Sequence, residues 1–184
     1  NAALRGVSEA MLNLAKAYTE GFLDDVHFPS KRKLKEQERL KLGLKWCHKA
    51  ADAKSAEATY AMGVAYKLGL KDLVQVDVQR AVRLFQRAVA LGSADAGRAL
   101  GTCYYNGQGV EIDFHKAFAS YLQAANLGDS GAMFKLSQMY DSGLGVKLST
   151  STALSWFNRG ATVMQERSGQ LREANEYAEM ATWG

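Results

Sequence analysis

The sequence predicts an all-α fold, an α/α superhelix of about four helical hairpins followed by a C-terminal capping helix. Three observations predict it. A pattern of Ala, Leu, Gly and Tyr recurs with a spacing of 36 residues, for example from Ala96 to Ala132. The 184 residues contain 17 glycines but one proline, Pro29, which suits helices that end at glycine. Apolar residues make up 47% of the chain and charged residues 23%, the balance of an ordinary globular protein.

The first half of the repeating unit predicts one helix. Its apolar and small residues fall at positions i, i+4, i+5 and i+8, which lie on one face of a helix. A glycine beside a large residue, as at Leu100 and Gly101, lets a second helix approach closely. Gly107 then ends the helix, because glycine adopts the left-handed conformation at little steric cost. The four occurrences read Ala10-x3-Leu14-Ala15-x2-Tyr18-x2-Gly21, Ala58-x3-Met62-Gly63-x2-Tyr66-x2-Gly69, Ala96-x3-Leu100-Gly101-x2-Tyr104-x2-Gly107-x-Gly109-Val110 and Ala132-x3-Leu136-Ser137-x2-Tyr140-x2-Gly143-x-Gly145-Val146.

The second half of the unit predicts a second helix. Asp77, Asp113 and Ser149 come just before these helices, where a side-chain oxygen can accept from free backbone N–H groups. Gly92 and Gly128 end two of them. The four occurrences read Gly43-x2-Trp46-Cys47-x2-Ala50-Ala51, Ala81-x3-Phe85-x2-Ala88-Val89, Ala117-x3-Tyr121-x2-Ala124-Ala125 and Ala153-x2-Trp156-Phe157-x2-Gly160-Ala161.

Each unit is therefore a helical hairpin, and neighbouring hairpins stack because a lone one cannot bury both of its apolar faces. A bundle of unrelated helices would not need Tyr, Gly and Ala in the same order four times. We expect one domain, residues 1–184, with units at about 8–55, 56–93, 94–129 and 130–165 and a terminal helix at about 169–183. The structural repeat residues are Gly63, Tyr66, Gly69, Gly101, Tyr104, Gly107, Gly109, Tyr140, Gly143 and Gly145. The repeated tyrosines are interpreted as packing residues.

This period resembles Sel1-like repeats, which are relatives of the tetratricopeptide repeat. The resemblance is closest over residues 94–128, where it includes Gly107, Gly109, Val110, Asp113, Lys116, Ala117, Ala124 and Ala125. It implies an α/α superhelix that acts as an adaptor or scaffold, without catalytic residues.

The first unit departs from the family pattern. Gly21 and Gly43 are 22 residues apart, where the matching positions of the third and fourth units are 10 apart. With the stretch 72–91 and the terminal run 169–183, this insertion resembles the C-terminal helical-repeat region of eukaryotic elongation factor 2 kinases, which are calcium/calmodulin-dependent alpha-type serine/threonine kinases. That resemblance implies a substrate-recruiting region that binds elongation factor 2 and the kinase domain of the same chain, with the ATP site elsewhere. The alternative is a stand-alone Sel1-like scaffold or adaptor unrelated to a kinase.

Candidate partner-binding residues lie in three places. Residues 31–41 hold six basic and two acidic residues, a local charge that equals the formal net charge of +4 of the whole chain. This run is either a docking patch for an acidic partner, similar in outline to a calmodulin-target helix, or a solvated loop. The terminal helix is expected to cap the last unit, with a large aromatic near its end as an anchor. An aromatic beside Tyr104 breaks the repeat pattern and is expected to face a groove. The candidates are Lys31, Arg32, Lys33, Tyr105, Tyr177 and Trp183.

The sequence contains no pattern typical of catalysis, metal binding or a cofactor site. Residues 143–147 are glycine-rich but fall at a repeat turn and lack the ending of a phosphate-binding loop. The three histidines occupy non-matching positions, which argues against zinc. Cys47 and Cys103 lie in apolar helical patterns and are expected to be reduced core thiols. Trp46 is expected to pack inward as well.

Membranes and nucleic acids are not expected partners. No apolar run reaches the roughly 18 residues of a membrane span, and the N-terminus lacks the features of a signal peptide. No basic position recurs from unit to unit that would follow a nucleic-acid backbone. We therefore expect a monomeric, cytoplasmic chain that binds proteins and catalyses no reaction.

Overall fold

The computed structural model describes residues 36–70 and 72–181. Within these ranges the chain forms α-helices, and its one extended pairing is an isolated bridge between Leu70 and Val74. The helices are α1 (Glu36–Asp52), α2 (Ala56–Leu68), α3 (Val78–Ala90), α4 (Ala94–Asn106), α5 (Phe114–Asn126), α6 (Ser130–Ser142) and α7 (Thr150–Ala181). The predicted all-α fold is confirmed.

The helices pack in sequence order. α2 lies along α3, α4 along α5, and α6 along α7, and each first helix also packs on the second helix of the preceding pair. The buried side chains form three clusters, centred on the junctions α1–α2, α3–α4 and α5–α6. The core is thus a row of junctions between neighbouring units, so each hairpin depends on its neighbours for burial.

Each first helix begins with a side-chain cap that the sequence pattern did not include. Ser55 accepts from the backbone N–H of Ala58 at 3.2 Å, and Ser93 accepts from that of Ala96 at 3.1 Å. Asp129 accepts from the backbone N–H of the corresponding alanine in α6 at 2.6 Å. Such a cap stabilises a helix by about 1 kcal/mol, so the start of every described first helix is fixed in the same way.

The predicted caps of the second helices are confirmed. Asp77 and Asp113 accept from backbone N–H groups three residues later at 2.8 and 2.9 Å, and Ser149 does so at 3.3 Å. The backbone N–H of each of these three residues donates to the carbonyl of the repeated tyrosine in the first helix, at 2.8, 2.9 and 2.9 Å. The tyrosine position therefore anchors the turn to the first helix through its backbone.

The glycines after the first helices form the turns between the helices. Gly107 and Gly143 both have φ of 69° in the left-handed region and donate to carbonyls of the helix they end. Two residues later, a Cβ at Gly109 would lie 2.8 Å from the Val78 carbonyl oxygen, at the start of the preceding second helix. Each turn thus packs against the neighbouring unit, and a side chain there would separate the two.

Glycine also permits the close approach of helices within a pair, as the sequence predicts. A Cβ at Gly63 would lie 2.5 Å from the ring of Phe85, and one at Gly101 would lie 2.7 Å from the ring of Tyr121. Both rings are at most 1% exposed. The aromatic residue of the second helix therefore fills the space that the glycine leaves.

The last helix differs from the prediction. A separate terminal helix at about 169–183 was expected, but α7 continues without a break from Thr150 to Ala181. The physical reason lies at Met164, which occupies the position of Gly128 one unit earlier. Gly128 has φ of 86° and stops α5, whereas methionine favours helix continuation. The side chains from residue 171 onwards lie outside the described part of the chain, so the capping role remains a prediction.

Candidate functional site on the first helices

The three first helices share one partly exposed side. In α2 the buried residues Ala58, Met62 and Gly63 face the neighbouring helices, and residues offset by half a turn lie on the opposite side. We call this opposite side the first-helix face. It consists of Tyr60, Ala61, Val64 and Leu68 in α2, Arg98, Ala99, Thr102 and Asn106 in α4, and Phe134, Lys135, Gln138 and Ser142 in α6.

Arg98 joins neighbouring units at this face. Its Nε donates to Asp129 Oδ2 at 3.1 Å, and its Nη2 donates to Asp95 Oδ1 at 3.0 Å. Asp129 is 8% exposed and also caps α6. Burial acts to lower the pKa of Arg98, but its hydrogen bonds and attraction to the two aspartates outweigh that effect and raise it. Arg98 therefore carries its charge and ties α4 to the start of α6.

Tyr60 of α2 lies close enough to this ion pair to feel its charges. Partial burial and the negative charge of Asp95 raise the pKa of the Tyr60 phenol, while the positive charge of Arg98 acts in the other direction. The Tyr60 ring also lies 5.8 Å from that of Phe85, and Phe134 lies at 5.3 Å from Phe157 in the same way. The positions of Tyr60, Arg98 and Phe134 thus form one row that crosses three units.

The composition of the face changes along the stack. The α2 part is apolar and ends in Leu68, which is 70% exposed. In the α4 part the corresponding position is Asn106, and in the α6 part the exposed side chains are Lys135, Gln138 and Ser142. A ligand lying across the face would meet apolar side chains at the α2 end and polar side chains at the α6 end.

The predicted groove residue Tyr105 has a packing role in the structure. Its ring is half-buried and lies 5.3 Å from that of Phe114 in an edge-on arrangement. It thereby joins the packing between α4 and the start of α5. Tyr177 lies in α7 with its side chain outside the described part, and the remaining candidates fall outside the described residues altogether, namely Lys31, Arg32, Lys33 and Trp183.

The repeated tyrosines lie at the edges of the junctions between units. The Arg80 guanidinium lies 4.1 Å from the centre of the Tyr66 ring. Gln86 Nε2 donates to the Tyr104 hydroxyl at 3.3 Å, and Tyr140 lies 5.5 Å from Phe118. These contacts to second helices agree with the packing role that the repeat pattern predicts.

Trp46 does not pack inward as expected. It is half-buried, and the Lys49 ammonium lies 4.5 Å from the centre of its ring. Leu44 and Cys47 instead complete the α1–α2 junction. Residues 44 and 47 are three apart and share a side of the helix. Residue 46 lies about 100° from residue 47 and about 160° from residue 44 around the helix axis, so its ring lies beside the junction.

The cysteines have no feature of reactive thiols. Both are unpaired, and burial raises the pKa of each thiol, which keeps them protonated near neutral pH. Cys47 Sγ donates to the carbonyl of Ala58 at 3.6 Å. Among the described residues there is no group of three potential metal ligands.

Sequence reasoning missed the row of Tyr60, Arg98 and Phe134. Each follows the repeated alanine by two residues, at Ala58, Ala96 and Ala132, but the three types differ and so do not form a pattern. The signal that was available is this fixed position with variable chemistry, since framework positions recur and ligand-binding positions vary.

A family model described as Sel1 repeat matches residues 8–26, 38–55, 56–93, 94–129 and 130–162. These segments together cover well over half of the chain. No curated protein matches the chain. In the part of the chain that the structure describes, no helix is both long and apolar enough to span a membrane.

Solved structures resemble the chain over most of its length. A Sel1 repeat protein from Oxalobacter formigenes has a TM-score of 0.71 and 27% identity, over 88% of this chain and 60% of that one. The protective antigen c5321 of uropathogenic Escherichia coli, which displays an SLR fold, has a TM-score of 0.72 and 25% identity, over 87% of this chain and 31% of that one. The chain thus spans less than two thirds of either structure. Immunity protein Pa5087 of Pseudomonas aeruginosa, at 20% identity and a TM-score of 0.53, shares the fold alone.

Proposed function

Because this chain belongs to the Sel1 repeat family, we propose that it is a non-catalytic scaffold or adaptor that binds a protein partner across the first-helix face. Proteins of this family are protein-interaction scaffolds. The observation that carries the proposal for this face is the Arg98 network, because its ion pair with Asp129 holds two neighbouring units in register within a row of half-exposed side chains. A preorganised surface loses little entropy when it binds.

The composition of the face indicates the chemistry of the partner. Leu68 and the half-exposed Val64 offer apolar contacts at the α2 end. Lys135 and Gln138 offer hydrogen bonds at the α6 end, with Lys135 as a cation. A segment with apolar residues at one end and polar or acidic residues at the other fits both ends.

A photo-crosslinking residue tests the choice of face. Placed at Leu68 and, separately, at Gln138, it should capture the same partner protein, because both positions are exposed on the first-helix face. Arg83 of α3 and Gln123 of α5 are matched controls, since they are also exposed but lie on second helices. Capture from the two control positions alone would place the binding surface on the second helices and refute the proposal.

A finer proposal places the chain in an elongation factor 2 kinase, as its substrate-recruiting region. The support is the basic run at 31–41, the stretch 72–91 and the terminal run 169–183, whereas none of the comparisons links the chain to such a kinase. A stand-alone scaffold therefore has the better support. Pull-down of elongation factor 2 with the intact chain and with one truncated after Gly169 separates the two: the kinase proposal requires binding that the truncation abolishes.

We also propose a reducing compartment, and the thiols support it. Two unpaired cysteines, one of them buried, suit a reducing environment such as the cytoplasm. Mass spectrometry of the chain purified under non-reducing conditions should find both thiols free, and a disulfide between them would contradict this assignment.

A further inference from the structure

The last helix carries an exposed apolar row that does not belong to the first-helix face. Leu154, Phe157 and Met164 are 59%, 51% and 51% exposed, and Ala161 between them is exposed as well. Their spacing of three, four and three residues puts them on one line along α7. We call these four residues the terminal stripe. Single exposed apolar side chains are common, but a continuous row of them marks an interaction site.

The equivalent positions of the two preceding second helices are covered. Leu154 corresponds to Val82, which is 3% exposed. Phe157 corresponds to Phe85 and Tyr121, which are 0% and 1% exposed. The Leu154 and Phe157 positions of the terminal stripe are therefore fully or partly buried in the units that another unit follows.

The first helix of the same unit and that of the next unit cover those positions together, since the Phe85 ring also lies against Gly63 of α2. Phe157 has the same-unit contact, with Phe134 of α6, but no described helix takes the place of the next unit. Phe85 packs in one cluster with Leu100 and Cys103 of α4. Phe118, at the position of Leu154, lies edge-on to Tyr140 of α6 at 5.5 Å. The interface that would cover the terminal stripe thus occurs twice in the described part of the molecule, each time with a helix of the same character.

α7 does not cover its own stripe. The helix runs on to Ala181 and does not turn back. At the repeat spacing, Met164 and Gln165 replace the stop Gly128 and the cap Asp129, so the residues that follow do not start another first helix there.

We propose that the terminal stripe binds an amphipathic helix of a partner protein, seated as α4 sits on α3 and α6 on α5. The occupant presents the pattern of α6, in which Ala132, Leu136 and Met139 form the buried side and a tyrosine follows. Asn158 occupies the position of Gln86, whose Nε2 donates to the Tyr104 hydroxyl at 3.3 Å. The Asn158 amide accordingly pairs with the tyrosine hydroxyl of the incoming helix, and the apolar row receives its leucine and methionine.

The test uses α6 itself as the probe. A fluorescent peptide of residues 129–142 is stapled through positions 138 and 142, which are exposed and lie off the buried side, because a free helix of this length is barely stable. It is titrated into the 184-residue chain and followed by fluorescence anisotropy. We expect saturable binding that Phe157→Asp weakens at least tenfold, and the same loss when the peptide carries Leu136→Asp.

Ser155→Asp is the matched control, since Ser155 is exposed on α7 but off the terminal stripe, and it should leave binding unchanged. Circular dichroism checks that all variants keep their helices. Absence of saturable binding, or equal binding by Phe157→Asp, overturns the proposal. A dimer of the chain that Phe157→Asp dissociates also overturns it, because the occupant is then a second copy. Leu68→Glu on the first-helix face should leave peptide binding intact. The proposal for the terminal stripe and the proposal for the first-helix face are therefore tested independently.

Discussion

The α4–α5 and α6–α7 hairpins carry the same repeat pattern but fit their helices together differently. In the α4–α5 pair the small residue is on the first helix, where a Cβ at Gly97 would lie 3.0 Å from Ala124 Cβ. In the α6–α7 pair the equivalent of Gly97 is Met133, and the small residue is Gly160 on the second helix, whose Cβ would lie 3.3 Å from Met133 Cβ. Both hairpins thus keep their helices close together, but the small residue that permits this lies on the first helix in one hairpin and on the second helix in the other.

The neighbouring turn shows a second difference. Gly101 lies under the ring of Tyr121, which is 1% exposed. Ser137 takes the place of that glycine in α6, and Phe157 takes the place of the tyrosine and is 51% exposed. One hairpin has a unit on each side and the other has none described after it, so the same sequence position is core in one and surface in the other.

The largest expected effect is the difference in unfolding free energy between alanine substitutions at Tyr121 and at its equivalent, Phe157. Tyr121→Ala removes a fully buried ring and the 3.1 Å hydrogen bond between the Tyr121 and Thr102 hydroxyls, and should cost about 3–5 kcal/mol of unfolding free energy. Phe157→Ala should cost less than about 1.5 kcal/mol, because half of the ring is already in water. Urea unfolding of both variants measures this, and equal losses would contradict the assignment of Phe157 to the surface.

Replacing a glycine with alanine should lower the stability of the fold in α4 but raise it in α7. Gly101→Ala places a Cβ against the Tyr121 ring, and the overpacking should outweigh the better helix propensity by about 1–2 kcal/mol. Gly169 of α7 has no atom within 4 Å of an added Cβ, so Gly169→Ala should stabilise by about 0.5–1 kcal/mol. Thermal unfolding followed by circular dichroism checks both. Stabilisation by Gly101→Ala would show that α4 and α5 have room to separate.

Restoring the missing stop should make α7 resemble α5. Met164→Gly introduces the residue found at Gly128, and should cost about 1 kcal/mol and lower the helical signal, because the chain beyond it frays. Limited proteolysis should then cut between residues 165 and 181. Met164→Ala, which removes the same side chain but keeps helix propensity, is the control and should resist cleavage as the parent chain does.

The smallest expected effect is a difference in pH dependence between Asp113, which caps α5, and Ser149, which caps α7. The backbone N–H of Lys116 and its ammonium, 3.0 Å from the Asp113 carboxylate, lower the pKa of Asp113. Because the folded pKa lies below the unfolded one, Asp113 stabilises the fold above its unfolded pKa and loses this contribution as the pH falls through the folded pKa. The difference in melting temperature between the parent chain and Asp113→Asn should therefore shrink in acid.

Ser149 supplies the comparison, since a hydroxyl does not titrate in this range. The difference between the parent chain and Ser149→Ala should stay constant between neutral and acidic pH. A pH-independent difference for Asp113→Asn would mean that its carboxylate has no preferential partner in the folded state.

The sequence was sufficient for features that depend on local conformation or on the repeat itself. The turn at Gly107, the cap at Asp113 and the close approach at Gly101 each follow from a residue type at a repeated position. The ion pair between Arg98 and Asp129 could not be predicted, because it spans 31 residues and requires knowing that successive first helices lie side by side. The sequence therefore indicated that the site is a protein-binding surface, but it did not identify the residues that form it.

The continuation of α7 has a signal in the sequence. Met164 stands where Gly128 ends α5, although the repeat pattern predicts that the fourth unit ends near residue 165 and that a separate helix follows. The absence of a helix-ending residue is as informative as its presence, because a helix ends only where its backbone groups find other hydrogen-bond partners.

The hydrogen bond from each second-helix cap to the repeated tyrosine carbonyl encloses a loop of variable length. Tyr66 and Asp77 are 11 residues apart, whereas Tyr104 and Asp113 are 9 apart, yet both pairs are joined at 2.8–2.9 Å. Because this hydrogen bond joins the two ends of the loop, the length of the loop does not affect how the helices stack. Each extra loop residue costs only a slowly growing closure entropy. These loops are therefore the insertion points of the molecule, where an epitope, an affinity tag or a new recognition loop can be grafted at one chosen unit while every other unit keeps its place.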